Sequence, residues 1–202
     1  MSNELSRRSL ILGGLMGAAI IAAPAIVRAT PTGTVGPDRL WIQRPETGEI
    51  LNIPFVSRDN RVHRQAWASY SYFWRDIKDG GQAVWMDPRL LVHLSRLQVE
   101  ISRQRGEEVL LYLNSGYRTV ERNARIEGAA QLSLHCVGCA ADFYGRNVPH
   151  RTLLTIADAL PQIGGVGGYS NFTHIDTGAG TRRWGSAVAV RDRRLEAQRA
   201  RG

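Results

Sequence analysis

The stretch SLHCVGCAADF, Ser133 to Phe143, sets the tightest local constraint on the fold. His135 and Asp142 lie seven positions apart and can meet in space only if the backbone turns between them. Gly138 supplies a residue free to make that turn. The segment is therefore expected to be a loop entering a strand. Three chemistries compete for it: a metal site, a redox pair, and an ordinary turn, where histidine and aspartate are common.

Zinc accepts imidazole nitrogen, carboxylate oxygen and thiolate, and a catalytic zinc keeps one position for water. His135 and Asp142 offer one nitrogen and one oxygen. A second short segment, FTHID, carries His174, which would complete a three-ligand set. Spacing alone does not separate this from an ordinary turn and strand end. Cys136 and Cys139 form a C-x-x-C. A redox dithiol sits at a helix start after a strand, whereas this pair interrupts a loop. It reads as a local disulfide, as two inert thiols, or as extra ligands of a closed structural zinc site. The run Gly164-Gly165-Val166-Gly167-Gly168 lacks the lysine and hydroxyl residue of a phosphate-binding loop and reads as a flexible, cleft-forming turn.

The rest of the chain predicts an α+β fold, a single domain with a small, mostly antiparallel sheet flanked by helices. A length of 202 residues with 43% apolar content suits one domain with a real core. Trp41 to Val56 reads as a hairpin turning at Thr47-Gly48. Helical spacing of apolar residues from Ala66 to Ile77 predicts a helix stopped by Gly80-Gly81. The clearest helix starts at Pro88 under an Asp87 cap, buries Leu90, Leu94, Leu97 and Ile101, and ends at Gly106. His93 is expected to be half-buried or on the surface. Further helices are expected near Val120 and after Asn147, with strands at EEVLLYL and FTHID.

Arg7 and Arg8 precede an apolar run from Leu10 to Val27 that ends in small residues. Residues 1–29 are thus expected to be a twin-arginine-like export signal. A retained membrane anchor is the alternative, and the glycine- and alanine-rich run favours cleavage. A linker at 30–38, a domain at 39–190 and an exposed tail at 191–202 complete the organisation, with no membrane span after signal cleavage. The product would be a periplasmic monomer. Net charge is +8, carried by Lys78 and 25 arginines, which suits an anionic polymer or surface. No helix-turn-helix, finger or aromatic RNA-binding pattern accompanies it, so nucleic acid is not expected as a partner.

Three ordered motifs add a resemblance. SGYRT (Ser115 to Thr119) with Asn123, then SLHCVGCAADF, then GGVGGYSNFTHIDTGAGTRRW resemble the zinc murein endopeptidases of the peptidase M15 superfamily, most closely its YcbK-like branch (murein endopeptidase K-like). Ser133, His135, Gly138, Ala140 and Asp142 match the pattern S-x-H-x-x-G-x-A-x-D, and the resemblance spans Trp41 to Trp184. It implies Zn2+ bound by His135, Asp142 and His174, and peptidoglycan stem peptides or cross-links as substrate. It places Arg118 at the reaction centre, holding the scissile carbonyl or a developing oxyanion. The sequence departs from many relatives at Asn171, where they carry an acid that can serve as base. Asp176 is the local replacement, either as base or as the carboxylate that orients His174, because alternation puts both on one strand face. His150 is a second candidate. Ser133, Tyr117 and Tyr169 are expected to contact substrate. A non-catalytic peptidoglycan-binding module and a structural zinc protein using Cys136 and Cys139 are the alternatives.

Overall fold

Short apolar segments pair into one seven-stranded sheet of order β2-β1-β3-β4-β6-β5-β7 in the computed structural model, which describes residues 35–57, 59 and 61–201. The expected export signal and the first part of the linker lie outside the described residues. The strands are β1 (Ile42–Gln43), β2 (Ile50–Leu51), β3 (Leu111–Ser115), β4 (Ala140–Gly145), β5 (Gly165–Gly168), β6 (Thr173–Asp176) and β7 (Arg182–Gly185). Pairing is antiparallel except between β1 and β3 and between β5 and β7. The β1–β2 hairpin turns through Gly48, whose φ of 71° suits glycine.

Among the described residues five helices flank the sheet: α1 (Arg64–Phe73), α2 (Pro88–Arg105), α3 (Val120–Ala124), α4 (His150–Ala159) and α5 (Ser186–Arg199). The α+β expectation holds. Helix α2 matches its sequence signals from end to end. The Asp87 side chain accepts from the Arg89 amide at 2.9 Å, Pro88 occupies the first turn, and Gly106 closes the helix at φ 68°. Leu90, Leu94, Leu97 and Ile101 are fully buried, and His93 is buried with them, deeper than expected.

Helix α1 stops at Phe73, short of Gly80-Gly81. Tertiary contacts end it. Trp74 is fully buried, and its carbonyl accepts from the Tyr117 amide at 2.7 Å. A Cβ on Gly116 would stand 2.5 Å from that carbonyl, so the two loops touch backbone to backbone. Asp76 then accepts from the Thr119 amide at 2.9 Å and pairs with Arg122 at 3.2 Å. The chain leaves the helix to brace the SGYR loop.

One further expectation is corrected. The glycine run is no flexible turn: Gly165–Gly168 is strand β5, buried throughout between β6 and β7. Helix α5 continues through residue 191 into the expected tail, whose described residues are half-buried or exposed. The helix buries Ala187 and Val190, and Arg194 Nε donates to Asp158 on α4 at 2.6 Å.

Strand alternation sorts the sheet's two faces. Leu111, Leu113, Ala141, Phe143, Val166 and Ile175 join residues of α1, α2, α4 and α5 in one apolar core. The alternate positions, Asp142, His174 and Asp176, are buried polar residues and belong to the other face. No helix among the described residues is long and apolar enough to cross a membrane.

Candidate metal centre and its cleft

Strand register brings together residues far apart in sequence. Asp142 on β4 pairs with Ser115 on β3 and with His174 on β6. His174 pairs with Gly167 on β5, and Gly167 with Trp184 on β7. In the next rung Ala140 pairs with Asp176, and Gly165 with Arg182. His135 arrives from outside the sheet, on a 3-10 turn, Leu134–Val137. Ser133 caps that turn by accepting from the His135 amide at 3.4 Å. Gly138 ends it at φ 70°, where a Cβ would also stand 2.9 Å from the Trp85 carbonyl. Glycine is thus required there by conformation and by space.

The three expected ligands converge. His135 Nε2 lies 3.2 Å from His174 Nδ1 and 3.2 Å from Asp142 Oδ1. His174 Nδ1 lies 2.8 Å from Asp142 Oδ1. One ligand atom from each residue falls within 4.8 Å of the others. Their remaining polar atoms are taken. His135 Nδ1 donates to the Gly116 carbonyl at 2.6 Å, and His174 Nε2 donates to Asp176 Oδ2 at 3.3 Å. Arg118 donates to Asp142 Oδ2 from Nη2 and to Ser115 Oγ from Nε at 2.8 Å. Each imidazole therefore carries its proton on the outer nitrogen and turns a lone pair inward. Two such lone pairs and a carboxylate oxygen, buried and facing one another, repel unless a metal ion sits among them or a second proton on His174 Nδ1 bridges to Asp142. The donor set suits a metal ion with nitrogen and oxygen ligands, and this cluster could chelate one.

The same contacts set the charges. Burial lowers the pKa of His135, and the neighbouring Asp142 only partly opposes it. Burial also works downward on His174, but hydrogen bonds to two carboxylates, Asp142 and Asp176, outweigh it and raise its pKa. For Asp142 burial works upward, yet the two imidazoles hold its carboxyl well below the usual range. Asp176 is also buried, but His174 and the Gly165 and Gly178 amides bring it down to about 2. Both amides donate to Asp176 Oδ1 at 2.8 Å, and Arg182 Nη2 donates to the same oxygen at 2.7 Å. With four donors on it, this carboxylate is a poor proton acceptor at neutral pH.

The triad opens into a cleft of about 470 Å³. Arg118, Ser133, Tyr169 and Asp176 line it, as do Arg182 and Trp184. Tyr169 stacks on Phe172 with ring centroids 4.4 Å apart, and its hydroxyl accepts from Trp184 Nε1 at 2.9 Å. Tyr117 does not line this cleft. Its amide is bonded to Trp74, and it lines a small crevice with Asp76 and Lys78 instead. Asn171 is exposed and His150 donates to the Phe172 carbonyl at 2.9 Å; neither lines the cleft.

Cys136 and Cys139 are both free thiols, so the local disulfide is absent here. Cys136 Sγ faces the Thr119 carbonyl and Cys139 Sγ the Val137 carbonyl. Burial raises the pKa of both. Neither sulfur belongs to the metal-ligand cluster.

Residue spacing alone did not single out Arg182, Trp184 and the Gly116 carbonyl. The glycine run held the signal for the first two, since glycine inside a strand marks a close approach. A Cβ on Gly165 would stand 2.1 Å from Asp176 Oδ2, and one on Gly167 would stand 2.4 Å from the Trp184 indole.

The family model Peptidase_M15_2, described as peptidoglycan L,D-endopeptidase MepK, matches residues 32–184, a span holding every cleft residue named above. No curated protein matches the chain.

Proposed function

The chain belongs to the M15 peptidases, in the branch represented by peptidoglycan L,D-endopeptidase MepK, and from that premise we propose that it is a zinc-dependent peptidase cleaving peptide bonds in peptidoglycan stem peptides or cross-links. The observation that carries this is the triad itself. His135, Asp142 and His174 turn one ligand atom each toward a common point beside an open cleft, with their other polar atoms tied down. Zinc bound there supplies an acidified water and polarises the peptide carbonyl.

The protein's own groups hold and orient. The Gly116 carbonyl keeps the proton of His135 on Nδ1, and Asp176 keeps that of His174 on Nε2. Asp176 is therefore a positioning residue for His174. Arg118 holds the outer oxygen of Asp142 and leaves the other turned inward. The cleft-facing part of its guanidinium meets the scissile carbonyl or the charge that develops on it. Ser133 and Tyr169 line the substrate path. Residues 1–29 export the protein to the periplasm, where it acts as a monomer and the net charge of +6 on the residues beyond 29 favours an anionic wall.

The test is mass analysis of muropeptides released from purified sacculi by the zinc-loaded protein. New products are expected, absent with a chelator and restored by zinc. Cross-links and stem peptides left intact by protein carrying one equivalent of zinc would leave a wall-binding module in place of an enzyme.

A further inference from the structure

Two arginines flank the metal-ligand cluster, and they are held differently. The Arg118 side chain is 14% exposed, with Nε on Ser115 and Nη2 on Asp142. The Arg182 side chain is 49% exposed and makes one side-chain hydrogen bond among the described residues, from Nη2 to Asp176. A guanidinium carries five N–H donors in a rigid fork, so most of Arg182's donors remain open to the cleft it lines. Its anchored edge is built into the fold. A Cβ on Gly164 would stand 2.6 Å from Asp176 Oδ1, and one on Gly178 would stand 2.5 Å from Arg182 Nη2. Glycines clear the space in which this pair meets. An ordinary exposed ion pair contributes little and needs no such room.

The anchor also fixes distance to the reaction centre. Asp176 takes Arg182 on Oδ1 and His174 on Oδ2, so one carboxylate and one imidazole separate the guanidinium from the ligand nitrogen. Trp184, in the same strand, lies with its ring centroid 5.0 Å from that of His174 and walls the space between them. The exposed acid of the lining, Glu127, sits on the loop before the 3-10 turn.

We propose that the open edge of Arg182 binds a free carboxylate of the substrate, so that the cleft selects peptides carrying an ionised carboxylate close to the cleaved bond. A planar fork already fixed on one side matches a carboxylate in two parallel hydrogen bonds and gives up little freedom in doing so. The proposal deepens the peptidase reading by naming a substrate feature, and rests on it only for which bond is cut.

The test uses zinc-loaded protein and a synthetic stem peptide, together with versions in which each free carboxylate is amidated in turn. Binding is measured by calorimetry at low temperature, and mass analysis of the same samples records any cleavage. Amidating one particular carboxylate should weaken binding to the wild type by about tenfold, the effect of losing a charge-assisted hydrogen bond. Arg182→Gln should lose the same factor with the acid peptide and bind acid and amide equally, with Arg182→Lys between. Equal losses with acid and amide peptides would mean that Arg182 acts only through Asp176, and would overturn the proposal. So would indifference of the wild type to every amidation, or failure to bind the acid peptide. A protein that shows the charge preference yet leaves every peptide uncut keeps the Arg182 site and refutes the peptidase reading.

Discussion

Replacing Asp176 with asparagine separates the two roles open to a carboxylate two residues from a metal ligand. The change keeps the shape and removes the charge that four donors now share: His174 Nε2, the Gly165 and Gly178 amides, and Arg182. The fold holds this carboxyl at about 2 against an ordinary 3.8. At ~1.4 kcal/mol per pH unit this amounts to about 2 kcal/mol of native stability at neutral pH. Because the folded pKa is depressed, the contribution is complete above the ordinary value and is lost as pH falls toward 2. Asparagine cannot supply it, and its amide group must turn a donor toward one of the existing donors. The metal-free variant should therefore melt roughly 4–8 °C lower, at ~2–4 °C per kcal/mol for a domain of this size. Zinc affinity should fall about 10- to 100-fold, as when other residues that orient a metal ligand are removed. The deciding measurement is kcat on muropeptides with zinc held saturating. A positioning residue costs little there, less than about tenfold, whereas loss of a general base costs roughly 10²- to 10⁴-fold. A variant with full zinc, an unshifted melting temperature and a kcat at least a hundredfold lower would make Asp176 the proton acceptor and refute the positioning role.

Two further outcomes follow from the same geometry. His174 has a raised pKa while Asp142 stays ionised and His135 stays neutral, with one proton on Nδ1, so zinc binding there must displace a proton from His174 Nδ1. Calorimetry near pH 6.5 in buffers of different ionisation enthalpy should count about one proton released per zinc, with affinity falling as pH drops through the raised value. Zero protons released would contradict the assigned charges. The His174 contribution to metal-free stability has the opposite trend to that of Asp176: it is complete below the ordinary histidine pKa and is lost as pH rises through the raised one. Gly167→Ala places a methyl 2.4 Å from the Trp184 indole. It should destabilise the fold by about 1–3 kcal/mol and shift the tryptophan emission, and an unchanged denaturation midpoint would mean that the ring is not seated as described.

How much of this could be read in the sequence depends on whether the cause is local. Helix α2 was legible because its cap, proline, apolar stripe and terminal glycine all act within the helix. The end of α1 was not, since the stop is a carbonyl-to-amide contact between Trp74 and Tyr117. The ligand set lay between these cases. Residue type and the turn at Gly138 pointed to His135 and Asp142, and strand alternation put His174 and Asp176 on one face. Strand order then brought them together. Arg182 and Trp184 depend on register alone, through a parallel pairing of β5 and β7 that leaves no mark on the spacing of RRW. The mark lies across the sheet. Glycine is a poor strand former, so five residues with four glycines read as a turn, yet Gly165 and Gly167 are empty where Asp176 and Trp184 need their volume. GGVGG is thus an imprint of its neighbours: the carboxylate that orients His174 and the ring that walls the cleft.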